Sequence, residues 1–164
     1  MNTTKQHYEE SSVIHATADR VFAYIDDHTR FSSHMNKSSW TMGGGKMETK
    51  VDQGMGQKVG SHILLSGSAF GIKIFLDEIV TSHEPPSRKT WETVGTPKLL
   101  IIGSYGMGIE IKPQNAESQL RVYIDYDLPA TNTWLGRIFS GVYAKWCVRK
   151  MVNGTREEFI SQSD

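Results

Sequence analysis

The sequence predicts a single α+β domain, in which an antiparallel sheet of about six or seven strands packs against a long C-terminal helix. Between residues 38 and 128, short segments with alternating apolar residues are separated by turns that contain Gly, Pro and Asn, a pattern typical of consecutive strands. After Pro129 the apolar period changes to three or four residues, which indicates a helix. A chain of 164 residues suits one domain, so we expect residues 1–164 to form one unit with an ordered core over about 9–160 and short tails.

The first 35 residues predict a strand followed by two short helices. The strand is expected over Tyr8–His15. Thr17 is positioned to cap a helix that begins at Ala18, because its hydroxyl can accept a hydrogen bond from a free amide of the first turn. Three polar residues end this helix, and a second one is expected from a Thr29 cap to Met35. The apolar residues that share a face in these helices are Val21, Phe22, Ile25, Phe31 and Met35.

The middle of the chain predicts a series of strands, each bounded by turn residues. They are Ser38–Met42 with a second segment at Lys46–Val51, then Val59–Ser66, Gly71–Ser82, Arg88–Val94, Leu99–Ile111 and Gln119–Leu128. In the last strand Leu120, Val122 and Ile124 share one face, and charged or polar residues occupy the other. One apolar and one polar face is typical of an antiparallel sheet. Glycines within residues 103–108 interrupt a strand pattern, so we interpret them as a bend or bulge rather than a nucleotide loop.

The C-terminal helix is expected to bury a stripe of large apolar residues against the sheet. Thr131, Asn132 or Thr133 can supply the N-cap, and Asn153-Gly154 is expected to end or kink the helix. Capping-box spacing from Thr155 then allows a short further helix to Ile160. The stripe, at helical spacing, consists of Trp134, Leu135, Ile138, Phe139, Val142, Tyr143 and Trp146.

Composition excludes several classes of protein. Lys and Arg together number 18, as do Asp and Glu, and a zero net charge disfavours a nucleic-acid or anionic-membrane binder. No apolar run approaches the length of a membrane span, and the N-terminus lacks the apolar core of a signal peptide, so we expect a cytoplasmic protein with no membrane insertion. The six His lack metal-ligand spacing and Cys147 is the only cysteine, so we expect no metal and no cofactor; an oligomer is compatible with all of this.

Several segments of the chain carry a resemblance to a known superfamily. They are Ala16–Phe22 at the first helix, the Gly56–Gly60 turn, the Glu78–Pro86 strand end, Arg88–Trp91, and the terminal amphipathic helix. Over about residues 9–160 the chain resembles the START-like (SRPBCC) superfamily, which includes the birch-pollen allergens, polyketide cyclases and coenzyme-Q-binding proteins. The resemblance implies the helix-grip fold, in which the sheet curls round the long helix and leaves an apolar cavity between them.

The residues themselves favour such a cavity, because large rings rarely fill the space between a sheet and a helix without gaps, and methionines suit a pliable wall. Apolar concavities with a few polar groups are the usual binding sites. The residues expected to line the cavity are Phe22, Ile74, Leu76, Glu78, Trp91, Tyr105, Met107, Tyr126, Ile138, Val142, Trp146 and Arg149.

Arg149 is the most unusual of these residues, because helical spacing places it in the same sector as Ile138, Val142 and Trp146. A buried guanidinium needs a carboxylate or a ligand anion. Glu78 shares the apolar face of its strand and is the candidate partner. The alternative is that the helix runs past the sheet there and Arg149 extends to water.

Other polar or aromatic candidates also have two interpretations. Tyr105 and Tyr126 lie on apolar faces, and each hydroxyl can donate to a ligand carbonyl or to a backbone carbonyl. Trp91 is either a cavity wall or plain core. Cys147, beside Trp146 in the helical pattern, is expected to be a small buried apolar group.

Three functions remain open at this stage, and no residue is assigned a catalytic role. The first is binding of a lipid-, polyketide- or quinone-like hydrophobic molecule. The second is a cyclase, aromatase or dehydratase, which requires an inward acid or base such as Glu78, His62 or His83. The third is a protein-interaction or co-chaperone module, which predicts a closed interior and an exposed apolar patch.

Overall fold

The protein is described here by a computed structural model that covers residues 5–33, 44–69, 71–95, 97, 99 and 101–162. The elements in chain order are β1 (Gln6–Ile14), α1 (Ala18–Asp26), α2 (His28–Phe31), β2 (Met47–Val51), β3 (His62–Ala69), β4 (Ile72–Glu84), β5 (Arg88–Thr93), β6 (Tyr105–Gln114), β7 (Glu117–Tyr126) and α3 (Thr133–Ser161). The predicted fold class is therefore confirmed.

The strands within the described residues form one antiparallel sheet in the order β1-β7-β6-β5-β4-β3-β2. Consecutive strands from β2 to β7 are neighbours, while β1 crosses the sheet to pair with β7, from Gln6 opposite Tyr126 to Ile14 opposite Ser118. The sheet is open, and α3 packs on one of its faces, chiefly against β1 and β7. The main apolar core lies between α1, α3 and strands β5 to β7.

The strand that was predicted over Leu99–Ile111 begins only at Tyr105. Of the two glycines in β6, Gly108 lies in close contact with its neighbour, whereas Gly106 has room for a Cβ atom. A Cβ atom on Gly108 would lie 2.3 Å from the Tyr123 ring on the neighbouring strand β7, so only glycine permits this contact. The register irregularity of the sheet lies elsewhere, between Val80 and Ser82 on β4.

The short helices differ from the prediction in their caps. Thr17 precedes α1 but its side chain makes no capping hydrogen bond. Helix α2 begins at His28, and Asp27 rather than Thr29 caps it, because the Asp27 carboxylate accepts a hydrogen bond from the Arg30 amide. Helix α2 ends at Phe31, with Ser32 as its C-cap, so the predicted helix stops short of Met35. Residues 34–43, which include Met35 and the predicted strand Ser38–Met42, lie outside the described residues, whereas the segment Lys46–Val51 is present as β2.

Helix α3 continues through Asn153-Gly154 without a break. The expected cap at Thr155 is wrong, since its buried hydroxyl donates to the Met151 carbonyl one turn earlier. A glycine within a helix costs roughly 1 kcal/mol. The burial of Val152 and Phe159 on either side of Gly154 outweighs that penalty.

The first half of α3 presents to the sheet a different face from the one predicted. Trp134, Ile138, Phe139 and Val142 are exposed, and the buried positions of this half are Gly136, Ser140, Ala144 and Cys147. A Cβ on Gly136 would lie 2.3 Å from Pro129, so glycine lets the start of the helix lie directly on that segment. Because this half of the helix carries apolar residues on two sides, periodicity alone could not identify the buried side.

Candidate functional site

A cavity lies between the sheet, α2 and the inner face of α3. Its volume, counted as the space open to the centre of a water molecule, is about 40 Å³. The wall is mostly apolar, with its polar groups contributed by the side chains of a few residues. The lining residues are His28, Leu65, Leu76, Glu78, Trp91, Leu99, Ile102, Tyr105, Met107, Ile124, Tyr143, Cys147 and Met151.

The structure places five of the twelve predicted cavity residues on this lining: Leu76, Glu78, Trp91, Tyr105 and Met107. Four others lie elsewhere in the interior. Phe22 and Tyr126 are buried in the main core, and Phe22 contacts the His83 ring edge-on at 5.6 Å between centroids. Ile74 packs on a small cluster around Leu65, and Trp146 is partly buried against both clusters.

The remaining three predictions are wrong, because α3 turns these residues away from the sheet. Ile138 and Val142 are 59% and 67% exposed. The Arg149 side chain is 50% exposed, and its Nε donates to Glu10 on β1 at 2.6 Å. The hydrogen bond to Glu10 raises the pKa of Arg149 above its usual value. The pair of Arg149 with Glu78 does not form, and the alternative, in which Arg149 extends to the surface, describes the structure.

Glu78 instead forms a buried polar group with Tyr105 and His28. Glu78 is 3% exposed, and its Oε1 accepts a hydrogen bond from the Tyr105 hydroxyl on β6. Its Oε2 lies 3.6 Å from Nε2 of His28, too far for a hydrogen bond. Among the described residues, neither Oε2 of Glu78 nor Nδ1 of His28 has a hydrogen-bond partner. Unsatisfied buried polar atoms are rare in folded proteins. Both residues that carry these atoms line the cavity, so Glu78 and His28 form its polar end.

The other ionisable groups on the lining are held in their neutral forms. Burial, with the nearby charge of Glu78 as a second cause, raises the pKa of Tyr105 well above its usual value. Burial likewise raises the pKa of Tyr143, and it raises the pKa of the Cys147 thiol to about 12. The predicted burial of Cys147 is confirmed. A thiol with such a pKa stays protonated at neutral pH, so it is a cavity wall and not a nucleophile.

A second buried polar cluster, outside the cavity lining, links β5 to the end of α1. Lys89 is completely buried, and its Nζ donates to Oδ1 of Asp26 at 3.0 Å. The same carboxylate contacts Nε2 of His83 at 2.9 Å. Burial lowers the pKa of Lys89, and the charge of Asp26 opposes that effect. An ammonium buried in this way depends on its carboxylate partner.

The sequence interpretation missed eight of the thirteen lining residues, among them His28, Tyr143 and Met151. It also missed the pair of Lys89 and Asp26. The pair could have been found, since Lys89 and Trp91 share a face of β5 and a buried strand face rarely holds an unpaired lysine. His28 gave no such signal, because its position depends on the turn between α1 and α2. His62, an earlier candidate acid or base, is half-exposed and contacts Asp77 on the sheet.

Within the residues described, no three His, Cys, Asp or Glu side chains are grouped closely enough to hold a metal ion. No helix in that part of the chain is long and apolar enough to cross a membrane.

The amino-acid sequence was compared with models of known protein families. The family model described as polyketide cyclase / dehydrase and lipid transport matches residues 5–157. No curated protein sequence matches the chain.

Several solved structures are similar to the chain in fold. The Zhui aromatase/cyclase from a Streptomyces species aligns with a TM-score of 0.73 and 14% identity, covering 98% of this chain and 96% of that one. A norcoclaurine synthase point mutant from Thalictrum flavum, in complex with a transition-state analogue, aligns at 0.69 and 11% identity, covering 100% and 99%. The protein Ara h 8.0201 aligns at 0.65 and 9% identity, covering 96% and 99%. Identities this low establish the shared fold and nothing finer.

Proposed function

The chain belongs to the polyketide cyclase / dehydrase and lipid transport family, and on this premise we propose that it binds a hydrophobic small molecule in the cavity beneath α3. One observation supports the proposal most strongly. The cavity has an apolar wall but contains a buried carboxylate oxygen, Oε2 of Glu78, with no hydrogen-bond partner among the described residues. An apolar pocket with a few oriented polar groups is the usual form of a small-molecule site.

The polar end defines the chemistry of the ligand. An ionised carboxylate only accepts hydrogen bonds, so Oε2 of Glu78 favours a ligand that carries a hydroxyl or N–H group. Either tautomer of His28 adds a donor or an acceptor at Nδ1. The rest of the ligand contacts apolar side chains such as Leu76 and Met107. We therefore propose a mainly apolar, uncharged ligand with one hydrogen-bond donor at its end.

The cavity volume limits what this conformation can hold. About 40 Å³ is far below the ~300–1,000 Å³ typical of sites for drug-sized ligands. A lipid-, polyketide- or quinone-like guest therefore requires the wall to move. Met107 and Met151 line the cavity, and methionine side chains change rotamer at low cost. Binding is thus expected to open the space between α3 and the sheet.

The proposal predicts a difference between two matched ligands, 2-naphthol and naphthalene, titrated against the protein by NMR. In Glu78→Gln the neutral amide accepts a weaker hydrogen bond than the carboxylate, so the Kd of 2-naphthol is expected to rise about tenfold. The Kd of naphthalene is expected to stay unchanged, because it makes no hydrogen bond.

Asp77→Asn is the control, since it changes a carboxylate to an amide at the preceding residue of β4, whose side chain contacts His62 instead of the cavity. It is expected to change neither Kd. Native mass spectrometry of freshly purified protein adds a second measurement, the mass of any co-purified compound. The proposal is wrong if neither ligand perturbs the cavity residues and the fresh protein carries no organic compound.

A second candidate function, a cyclase, aromatase or dehydratase, is favoured by the same group of Glu78, Tyr105 and His28. Oε2 of Glu78 could take a proton from the carbon between two carbonyl groups, leaving the C–H electron pair on the substrate as an enolate and Glu78 as a carboxylic acid. Because the site is buried and excludes water, the electrostatic interaction between Glu78 and the substrate would be stronger than in solution.

Deuterium exchange at the C2 position of ethyl acetoacetate distinguishes catalysis from binding alone. An enzyme is expected to accelerate this exchange over buffer by at least about 100-fold, the usual contribution of a positioned base, and Glu78→Gln is expected to abolish the acceleration. Exchange at the buffer rate, or an equal rate in Glu78→Gln, would leave ligand binding as the function.

A further inference from the structure

The outer face of the first half of α3 is apolar and largely exposed. Trp134, Ile138 and Val142 follow at intervals of four residues and form one stripe, with Phe139 on its flank. These four side chains are between 46% and 67% exposed. We call them the α3 outer stripe. A contiguous exposed stripe of large apolar side chains is uncommon on a protein that has no partner there.

The inner face of the same helix shows that the stripe is not a by-product of core packing. The positions that face the sheet are the small residues Gly136, Ser140 and Ala144, which are buried. The bulky residues of this half therefore lie outside, which is the reverse of the order that folding alone favours. We infer from their exposure that these side chains contact an apolar partner.

The charges beside the stripe indicate the nature of this partner. Every charged residue of α3 before Glu157 is basic, although the whole chain has no net charge. Arg137 and Lys145 are exposed next to the stripe, and Arg149 is bound to Glu10. The zero net charge of the chain therefore arises from an uneven distribution, in which this helix is basic. A second copy of the chain would oppose these cations with its own, whereas an anionic surface would complement them.

We propose that the α3 outer stripe, together with Arg137 and Lys145, docks the protein on the surface of an anionic lipid bilayer. A helix with Trp and Phe on one side and Lys or Arg at its edges lies in the plane of the interface, with its apolar side chains among the acyl chains. Anionic lipids attract the basic edge. The protein lies on the membrane and does not span it.

The orientation connects this surface to the cavity. Tyr143 and Cys147, on the opposite side of the same helix, line the cavity wall. Docking through the stripe therefore brings the cavity within one helix diameter of the bilayer, roughly 10 Å. A hydrophobic ligand could pass between the two over that distance, but the docking itself does not depend on ligand binding.

Vesicle co-sedimentation tests the proposal with the full chain. Vesicles of phosphatidylcholine with 30% phosphatidylglycerol are compared with pure phosphatidylcholine vesicles in 0.15 M and 0.5 M NaCl, conditions set by the experiment to separate charge from apolar attraction. We expect binding to the anionic vesicles, at least tenfold weaker binding to the neutral ones, and weaker binding in high salt. The variants Trp134→Ser/Phe139→Ser and Arg137→Gln/Lys145→Gln are each expected to weaken binding at least tenfold.

Phe75→Ser is the matched control, because Phe75 is 65% exposed on β4, outside α3, and its replacement is expected to leave vesicle binding unchanged. Quenching of tryptophan fluorescence by brominated lipid is a second measurement. It is expected in the wild type and lost in Trp134→Phe, which preserves the apolar face.

Absence of vesicle binding, or equal weakening by Phe75→Ser, would overturn the proposal. So would a dimer in sedimentation velocity that becomes a monomer in Trp134→Ser/Phe139→Ser, since a second copy would then cover the stripe. The 2-naphthol titration in free solution separates this result from the ligand proposal, because these variants lie outside the cavity and are expected to bind 2-naphthol like the wild type.

Discussion

Replacing Asp26 by alanine is expected to lower the free energy of unfolding by about 3–5 kcal/mol, the usual cost of leaving one partner of a buried ion pair uncompensated. Lys89 is completely buried, and Asp26 is the carboxylate that its Nζ contacts, at 3.0 Å. The backbone carbonyl of Asp26, at 3.3 Å, is a weaker acceptor and does not neutralise the charge. Urea denaturation at pH 7 gives the measurement.

Two variants control this prediction. Asp26→Ala combined with Lys89→Met removes both charges, and it is expected to recover at least half of the loss, because an apolar side chain then occupies the buried site. Glu158→Ala removes the surface partner of Arg30, whose side chain is 52% exposed, and it is expected to cost less than about 1 kcal/mol. Similar losses in Asp26→Ala and Glu158→Ala would contradict the prediction.

The pH dependence of the stability of the Asp26→Ala variant is an independent test of the pair of Asp26 and Lys89. Asp26 raises the pKa of Lys89 against the lowering caused by burial, so its removal lowers that pKa further. The unfolded chain then holds the Lys89 proton at pH values where the folded variant has released it. Stability therefore rises with pH between the lowered pKa and the unfolded value of about 10.4. The deficit relative to wild type is expected to shrink as the pH rises from neutral towards 10.

Replacing Trp91 by alanine is expected to cost about 3–5 kcal/mol and to convert the small cavity into a site for a free aromatic ring. Trp91 is 1% exposed and lines the cavity, and its ring contacts His28 edge-on at 4.9 Å and Phe31 at 6.2 Å between centroids. The void left by the indole is apolar and continuous with the cavity. Free indole is therefore expected to bind there and to raise the Tm of the variant in proportion to the logarithm of its concentration.

Trp134→Ala is the matched control, because it removes the same side chain from a position that is 63% exposed. It is expected to change stability by less than about 0.5 kcal/mol and to show no rescue by indole. Differential scanning calorimetry with and without 1 mM indole, a concentration set by the experiment, compares the two variants. A rescue that appears in both variants, or in neither, would contradict a cavity that Trp91 bounds.

The cavity and the outer stripe of α3 bear on the three functions that the sequence left open. An exposed apolar patch had been expected of a protein-interaction module with a closed interior. Here the patch accompanies an interior cavity that contains an unsatisfied Glu78 oxygen, so the two features suit a ligand binder that meets an apolar surface. The basic edge of the patch, and not its apolar area alone, favours a membrane over a protein as that surface.

Among the described residues, the sequence alone was sufficient for the order and type of most elements, because these depend on local periods. It placed the start of β6 too early and predicted a break in α3 that does not form. In β7 the alternation of Leu120, Val122 and Ile124 identified the buried face directly, since a strand offers only two faces and polar residues occupied the other. The same rule placed Glu78 on the inner face of β4, where it is buried. In these strands one face is mainly apolar and the other mainly polar, so the sequence pattern identifies the buried face without ambiguity.

Tertiary structure alone decided the orientation of α3 and the membership of the cavity. The first half of α3 is apolar on two sides, and steric fit determines which side packs against the sheet. Gly136 allows the helix to contact Pro129, whereas the side chain of Trp134 would be too large at that position. The approach of His28 to Glu78 at 3.6 Å joins residues far apart in the chain through the turn before α2. Periodicity carries no information about such steric fit or long-range proximity, because both depend on how separate elements pack together.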